Sequence, residues 1–354
     1  MKKAVIYYGG FLSKSGGAFF HASNLEAELI RQGWAVEVIT LDNLPIWCRY
    51  LPHLISKGIN FFYAPFGFLY KASLTKMLYK IYFDKKTNLR VFEDIYLAWN
   101  SLTPTITMLH AVWSDNLQAF SITDKRLKTF LGREAKLINQ IAHPLVTVSY
   151  PYRDYINRQH FAGSLVKKIN VIELGVDQSI FNTFGKADHM EKSIVYCGAL
   201  EPRKNVSFLL EVFKKIYASD PEYSLTIIGD GPDRALLKSF ASKHQLPVNF
   251  LGRLTNDDAL AELHKHEIYV HTSVKESFSY SLLEAKLAGL TTVAYSKLQI
   301  PEEFIDVGID SFHVEDWYSG IINSKHSFNK FDGSKFKVEK MTQATLNLIG
   351  VKGR

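Results

Sequence analysis

The chain has 354 residues, of which 47% are hydrophobic and 22% are charged, and its formal net charge is +7. This length and composition exclude an intrinsically disordered protein and favour two globular domains over one. The two cysteines, Cys48 and Cys197, lie far apart, which argues against a disulfide scaffold or a cysteine-ligated metal site. The positive charge favours an anionic partner, such as a nucleotide or an acidic membrane surface.

The start of the chain resembles that of a cytoplasmic protein. Met1 to Lys3 lead directly into a predicted strand, without the apolar stretch of a signal peptide. The most apolar segment, Phe61 to Tyr70, is too short to cross a bilayer and contains Pro65. We therefore expect a cytoplasmic protein that could bind peripherally to the inner face of the cell membrane.

The first elements form a βαβ unit with a glycine-bearing loop. A strand over 4–8 is followed by a helix over 18–31 and a second strand over 35–40. Gly16 and Gly17 at the head of the helix could let the backbone approach a phosphate or a sugar. Glycines in such a turn are also common for structural reasons alone. The spacing is not that of the dinucleotide-binding fingerprint.

The next segment, from Phe61 to Lys86, is rich in aromatic residues and lysines. Its lysines include Lys71, Lys76, Lys80, Lys85 and Lys86. Such interleaving suits a membrane interface. A core helix with a solvated lysine face explains the pattern equally well.

Two buried strands are predicted over Val91–Leu97 and Thr105–Leu109, and His110 follows the second. A histidine at the carboxyl end of a strand is well placed to donate to a phosphate or a sugar hydroxyl. A lone histidine is more often structural. After residue 193, strands alternate regularly with helix-length segments, which predicts a second parallel sheet.

A predicted strand over Ile268–Ser273 leads into a turn and a helix that carry two carboxylates. Glu276 lies in the turn and Glu284 lies in the helix. Because ligands of α/β sheets bind at the carboxyl ends of strands, the two side chains could grip hydroxyls on either side of a bound phosphate. On spacing alone, two solvated glutamates are an equally good interpretation.

Three motifs precede this one, over Tyr196–Asn205, Ser224–Pro232 and Val248–Leu254. In order and separation, the four motifs resemble the nucleotide-sugar half of the retaining GT-B glycosyltransferases of family 4, also called group 1. The resemblance implies an α/β fold of two Rossmann-like parallel-sheet domains that face a cleft.

The resemblance also implies the domain boundaries. An acceptor-binding domain is expected over 1–178, and a C-terminal helix within 336–354 is expected to cross back to it. A nucleotide-sugar donor-binding domain is expected over 179–335.

The implied reaction moves a hexose-type sugar from a nucleotide diphosphate sugar to a hydroxyl, with retention of configuration and without a metal or other cofactor. The implied acceptor is a glycan or glycolipid, namely a lipid-linked precursor of a bacterial surface polysaccharide or lipopolysaccharide. An anionic membrane surface is a further expected partner. Nucleic acid is not expected, because basic residues are spread along the whole sequence.

The resemblance assigns roles to individual residues. His110 and Glu276 are the implied catalytic residues near the donor sugar. The implied donor contacts are Gly16, Gly17, Arg203, Lys204, Ser277, Phe278, Ser279 and Glu284. The nucleotide base is expected near Gly229, Arg253 and Leu254, and no metal ligand is implied.

Two departures from the family pattern leave alternatives open. Ala199 stands where relatives usually have an arginine, and Arg203 could supply the missing cation. Ser277 and Ser279 stand where relatives commonly have glycine. The alternatives are a non-catalytic nucleotide-sugar binding protein and a sugar-nucleotide epimerase on the same fold, for which His110 is the candidate base.

Overall fold

The computed structural model describes residues 1–11, 16–63, 67–117, 124–161, 169–179, 181, 190–324 and 331–351. The chain divides into two compact units, one formed by Met1–Asp177 with Ser334–Arg354 and the other by Gln178–Gly333. The boundaries expected at residues 178 and 335 fall within two residues of these.

The first unit is built on a six-stranded parallel sheet with the strand order β2-β1-β3-β4-β5-β6. Its strands are β1 (Lys3–Tyr7), β2 (Ala35–Ile39), β3 (Leu89–Phe92), β4 (Thr105–Leu109), β5 (Leu145–Thr147) and β6 (Ile169–Val171). Its helices up to this point are α1 (Gly17–Arg31), α2 (Ile46–Arg49), α3 (Leu51–Tyr63), α4 (Gly67–Phe83), α5 (Ser114–Leu117), α6 (Asp124–Gln140) and α7 (Tyr150–Phe161). Every residue of β3, β4 and β5 is buried, as expected for a parallel sheet covered on both faces.

The second unit is built on another six-stranded parallel sheet, with the order β12-β11-β10-β7-β8-β9. Its strands are β7 (Ser193–Cys197), β8 (Ser224–Ile228), β9 (Val248–Gly252), β10 (Ile268–His271), β11 (Thr291–Tyr295) and β12 (Val307–Ile309). Its helices are α8 (Val206–Ser219), α9 (Arg234–Lys243), α10 (Asn256–Leu263), α11 (Tyr280–Leu287) and α12 (Val314–Ile322). The two parallel sheets confirm the predicted α/β fold class.

The last helix, α13 (Val338–Leu348), belongs to the first unit, where it packs on α1. The backbone fixes its approach, because the Val176 amide donates to the Phe336 carbonyl at 3.0 Å. A Cβ on Gly175 would lie 2.6 Å from the carbonyl of Lys337, so only glycine allows this contact. The return of a C-terminal helix to the first unit is therefore confirmed.

The prediction of a strand over Val91–Leu97 is wrong in its second half. Strand β3 ends at Phe92, and a turn follows in which the Asp94 carboxylate accepts a hydrogen bond from the Tyr96 amide at 2.9 Å. Ile95 and Leu97 are buried all the same. A run of apolar residues indicates that a segment is buried, not that it is a strand. Here the hydrogen bond accepted by the Asp94 side chain stabilises a turn of the chain.

In both sheets the connections reverse direction at one pair of neighbouring strands. In the first unit the reversal lies between β1 and β3, and in the second it lies between β7 and β10. Ligands of open parallel sheets bind at the carboxyl ends of the strands beside such a reversal. Topology thus predicts one candidate site in each unit.

The turn between β10 and α11 contains a strained residue. Ser279 has a φ of 74°, a backbone region that costs energy for a residue with a Cβ. Its hydroxyl accepts a hydrogen bond from the Leu282 amide and caps α11. The serine thus combines an unfavourable backbone conformation with a favourable cap.

We expect Ser279→Gly to unfold at equal or higher urea concentration than the wild type. Glycine relieves the positive φ, and replacing a capping serine by glycine costs only a few tenths of a kcal/mol. Ser279→Ala keeps the strain and loses the cap, so its free energy of unfolding should fall by about 1 kcal/mol. An alanine variant as stable as the glycine variant would contradict this account of the turn.

Candidate functional site

The loops beside the reversal in the second sheet are joined to each other. A 3-10 turn over Pro202–Lys204 follows β7, and the loop that follows β10 lies against it. The Thr272 hydroxyl donates to the Lys204 carbonyl at 2.9 Å, and the Val274 amide donates to the Arg203 carbonyl at 3.2 Å. These bonds fix where the predicted residues Arg203 and Lys204 lie relative to Glu276.

Glu276 lies at the centre of a cluster of basic side chains. Its carboxylate forms an ion pair with the Lys204 ammonium and lies 3.4 Å from Nε2 of His271 and 3.8 Å from Nη1 of Arg203. Burial alone would raise the pKa of Glu276, but Lys204, His271 and Arg203 outweigh it and hold that pKa well below its usual range. Burial lowers the pKa of His271, although the Glu276 carboxylate acts against it. The structure thus brings together three predicted residues and adds His271.

Glu284, on α11, has the opposite environment. Within the described part of the chain it has no hydrogen-bond donor and no cation as a partner, and burial raises its pKa to about 8. Burial raises the pKa of the thiol of Cys197, the last residue of β7, and this thiol lies close enough to Glu284 and Lys204 that the charge of Glu284 also raises its pKa and the charge of Lys204 lowers it. A half-buried carboxyl without a partner among the described residues is suited to binding a ligand that brings its own hydroxyl groups.

Glycines at the ends of β7 and β8 allow two loops to touch through their backbones. A Cβ on Gly229 would lie 1.9 Å from the Gly198 carbonyl oxygen, and one on Gly231 would lie 2.3 Å from the Leu200 carbonyl oxygen. Gly229 also has a φ of 134°. Ala199 is exposed between these contacts, so its short side chain leaves the surface above the loop open.

The remaining predicted donor residues lie at the same edge of the sheet. Arg253 and Leu254 directly follow β9, and the first is exposed while the second is half-buried. Phe278 is buried and packs edge-on against Phe304 at 5.2 Å, so only its backbone can face a ligand. Ser277 is half-buried in the loop that precedes Ser279.

In the first unit, Gly16 and Gly17 lie at the start of α1. Gly17 is the first helical residue, and a Cβ on Gly16 would meet no described atom within 4 Å. Packing among the described residues therefore does not require glycine at position 16. The approach of a ligand at Gly16 and Gly17 stays a prediction.

His110 belongs to a buried cluster at the reversal of the first sheet. Its Nε2 lies 2.6 Å from Oε2 of Glu93, which directly follows β3. Nδ1 of His21, on α1, lies 3.0 and 2.9 Å from the two oxygens of the same carboxylate. One carboxylate thus fixes the rings of two histidines, and the His110 ring is the more accessible of the two.

The electrostatics of this cluster follow from burial and pairing. Burial would raise the pKa of Glu93, but the two histidines outweigh it and lower that pKa to about 2. Burial lowers the pKa of His110 although Glu93 acts against it. Two imidazoles and a carboxylate are also the donor set of many zinc sites. The separations are those of hydrogen bonds, so Glu93 binds both rings directly, while Nε2 of His21 is buried without a partner among the described residues.

Sequence reasoning missed His21, Glu93 and His271. His271 is the last residue of β10, the strand that precedes the predicted Glu276, and Glu93 directly follows the buried strand β3. A position at the carboxyl end of a buried strand is the sequence signal that could have identified His271 and Glu93. The pairing of Glu93 with His21, 72 residues away, has no signal in a single sequence.

Comparison with known proteins agrees with this architecture. The family model of glycosyl transferases group 1 matches residues 178–317. One subunit of human phosphatidylinositol N-acetylglucosaminyltransferase is 24% identical over 316 residues, which cover 82% of this chain and 61% of the human protein. The chain therefore spans less than two thirds of that relative.

Two crystal structures share the fold across the whole chain. The complex of Anabaena HepE with UDP and glucose has a TM-score of 0.65 at 18% identity, and covers 99% of this chain and 100% of HepE. The sucrose-phosphate synthase of Thermosynechococcus elongatus has a TM-score of 0.69 at 16% identity, and covers 99% and 96%. Both likenesses show the fold alone. Together, the comparisons show a GT-B fold that carries a glycosyl transferases group 1 domain over residues 178–317.

Proposed function

We propose that this glycosyltransferase takes a hexose-type sugar from a nucleoside diphosphate sugar and transfers it, with retention of configuration, to a hydroxyl of a lipid-linked acceptor. The observation that carries the donor assignment is Glu284, a half-buried carboxyl without a partner among the described residues, in the helix that follows β10 at the reversal of a parallel sheet. A ribose brings two adjacent hydroxyls, which are the donors that this carboxyl lacks. The crystallised HepE complex with UDP and glucose shows that the shared fold accommodates such a ligand in a relative.

Arg203 and Lys204 are the proposed diphosphate ligands. In the protein alone both face Glu276, so a diphosphate must take over their charge. The carboxylate released by this exchange then accepts hydrogen bonds from the hydroxyls of the donor sugar. Glu276 thereby couples the arrival of the diphosphate to the positioning of the sugar.

The transfer itself breaks the bond between the anomeric carbon and the diphosphate oxygen. The acceptor hydroxyl oxygen bonds to the same face of that carbon, and its proton passes to the departing phosphate. Arg203 and Lys204 stabilise the negative charge on the leaving diphosphate. We assign His110, held by Glu93, to contact a substrate hydroxyl.

The relatives support a lipid acceptor. The human relative is named for transfer of N-acetylglucosamine to phosphatidylinositol, which favours a phospholipid headgroup over a polysaccharide or lipopolysaccharide precursor. An acceptor of this kind requires the enzyme to reach a membrane surface from the cytoplasmic side. The anionic membrane and the peripheral location are parts of the same proposal.

We expect donor binding to strengthen with pH up to about 8 and to be constant above it. The raised pKa of Glu284 means that the carboxyl must lose its proton to bind ribose as a carboxylate, at a cost of about tenfold in affinity per pH unit below 8. Calorimetric titration of the protein with UDP-glucose and related donors between pH 6 and 9 measures this. Glu284→Gln should bind more weakly and without that pH dependence.

The same titration separates the alternatives. Binding without slow hydrolysis or transfer of the sugar would indicate a non-catalytic binding protein, and conversion of the sugar into its epimer would indicate an epimerase. Unchanged affinity and unchanged pH dependence in Glu284→Gln would contradict the assignment of the ribose site.

Glu284→Gln should also stabilise the unliganded protein. In the folded chain the carboxyl has a pKa of about 8 against an ordinary value of 4.5, so folding penalises its ionised form. The penalty is absent below pH 4.5, grows as the pH rises and levels off above pH 8. Thermal unfolding at pH 8 should show a gain on the order of 1–3 kcal/mol for the variant, and equal stability at pH 4. A variant less stable than the wild type at pH 8 would overturn this account.

We propose that the diphosphate is neutralised by side chains rather than by a divalent metal ion. Arg203 and Lys204 supply two positive charges where the diphosphate is placed. EDTA should therefore leave the rate of sugar transfer unchanged. A rate that collapses with EDTA and returns with magnesium or manganese would end this proposal. Lys204→Ala is a poor test, because removing the lysine leaves the buried Glu276 carboxylate with less compensation and lowers stability by several kcal/mol.

A further inference from the structure

The connection between β2 and β3 contains more structure than the sheet requires. A parallel crossover needs a single helix, whereas residues 40–88 hold α2, α3 and α4. Helices α3 and α4 pack against each other along their lengths. The additional helices are therefore available for a role outside the sheet.

These helices carry apolar side chains that point to solvent. Six large apolar residues on them are more than half exposed, namely Ile46, Trp47, Leu54, Tyr70, Met77 and Ile81. We call these six residues the apolar face. The concentration is unusual, because exposed apolar residues are normally scattered singly over a soluble protein.

The same segment holds most of the net charge of the chain. Residues 46–86 contain seven lysines and arginines against Asp84 alone, a formal charge of +6 out of +7 for the whole protein. Even Asp84 is already paired with Arg90. Basic residues also occur elsewhere along the sequence, but in this segment almost no acidic residue offsets them.

The lysines of this segment differ in their exposure to solvent. Lys71 and Lys76 are half-buried, and burial together with the charge of Lys80 lowers the pKa of Lys76. The exposed lysines are Lys57, Lys80, Lys85 and Lys86. On α4, Lys80 lies next to Ile81 and one turn from Met77, so cationic and apolar side chains share one helix face. The side chains of residues 61–66, also predicted to lie at an interface, are outside the described residues.

The start of α3 borders the carboxyl edge of the first sheet. The rings of Tyr50 and His53 lie 5.5 and 5.2 Å from the ring of Phe11, which follows β1 in the glycine-bearing loop. Trp47 precedes Tyr50 by three residues, and Leu54 directly follows His53. A surface that covers the apolar face would thus lie beside the loop at which we place the substrate.

We propose that the apolar face docks onto an anionic lipid bilayer, with the four exposed lysines against the headgroups. Lysines next to an anionic leaflet and tryptophan or leucine side chains at the acyl boundary are the combination found in interfacial helices. Nucleic acid would match the charge but would leave Ile46, Leu54 and Ile81 in water. No helix in the described ranges is long and apolar enough to cross a membrane, so docking involves one leaflet. This inference deepens the proposed function, and it rests on that function only for the identity of the acceptor.

Trp47 offers a direct measurement. All five tryptophans lie in the described part of the chain, and Trp47 alone is exposed. Vesicles of phosphatidylcholine with phosphatidylglycerol, carrying brominated acyl chains, should quench its fluorescence at low salt. High salt should reverse the quenching, and pure phosphatidylcholine vesicles should give much less. Trp47→Phe should abolish the quenching but still sediment with the vesicles.

Two variants and two matched controls test the surface. Replacing the four exposed lysines by glutamine should weaken sedimentation with anionic vesicles by about 100-fold or more. Trp47→Ser combined with Leu54→Ser should weaken it at low salt, where the lysines still attract the anionic bilayer.

The controls make the same chemical changes elsewhere. One replaces four lysines of the second unit by glutamine, namely Lys214, Lys238, Lys243 and Lys265. The other combines Leu102→Ser with Leu236→Ser, two exposed leucines outside the apolar face. Both controls should bind vesicles like the wild type.

Two outcomes would overturn the docking proposal. One is that the wild type does not bind anionic vesicles at low salt, whether or not an RNA oligonucleotide binds the same lysines. The other is a loss of binding in the control variants equal to that in the test variants. Hydrolysis of the donor, measured without vesicles, is independent of all four variants. A wild type that binds vesicles but does not hydrolyse the donor would therefore refute the proposed function without contradicting the docking proposal.

Discussion

A parallel sheet whose connections run to both sides leaves an uncovered position where they diverge, and both units of this protein use that position. In the second unit, the loops after β7 and β10 hold Lys204 and Glu276 there. In the first unit, the same constraint brings His21, Glu93 and His110 together although they come from three separate parts of the chain. The chemistry of each unit thus follows from where the strand order reverses.

The carboxylates at these positions differ in whether neighbouring basic side chains compensate their charge. This difference distinguishes a structural carboxylate from a functional one. Glu93 and Glu276 are each compensated by basic side chains, which lower their pKa values and make them compatible with burial. Glu284 has no such compensation among the described residues, and burial raises its pKa. A protein selected for stability alone would not retain an unpaired carboxyl in this place. We interpret the instability as the consequence of preparing a ligand site before the ligand arrives.

Much of this could be predicted from the sequence, and the limits have physical causes. The alternation of apolar runs and helix-length segments predicted both sheets, and the motif around Glu276 and Glu284 marked the edge at which they lie. The same signal failed after Phe92, because apolar patterning reports burial while Asp94 turns the backbone. Nor could it show that Phe278 packs inward on Phe304, or which lysines of α4 are exposed. These facts depend on side-chain direction and on contacts between distant segments, which local patterns do not contain.

The charge around the donor site also bears on the missing arginine at position 199. In the unliganded protein, Lys204 and Arg203 are balanced by Glu276 and by Glu201, which lies 2.5 Å from Nε of Arg203. A third cation at position 199 would leave an excess of positive charge on the open surface above the loop. Without it, the cations become available to a diphosphate only if Glu276 finds new donors, and the hydroxyls of the sugar are those donors. If Arg203 and Lys204 bind the diphosphate as proposed, the alanine makes binding more dependent on the sugar, because a diphosphate without a sugar would leave the Glu276 carboxylate uncompensated.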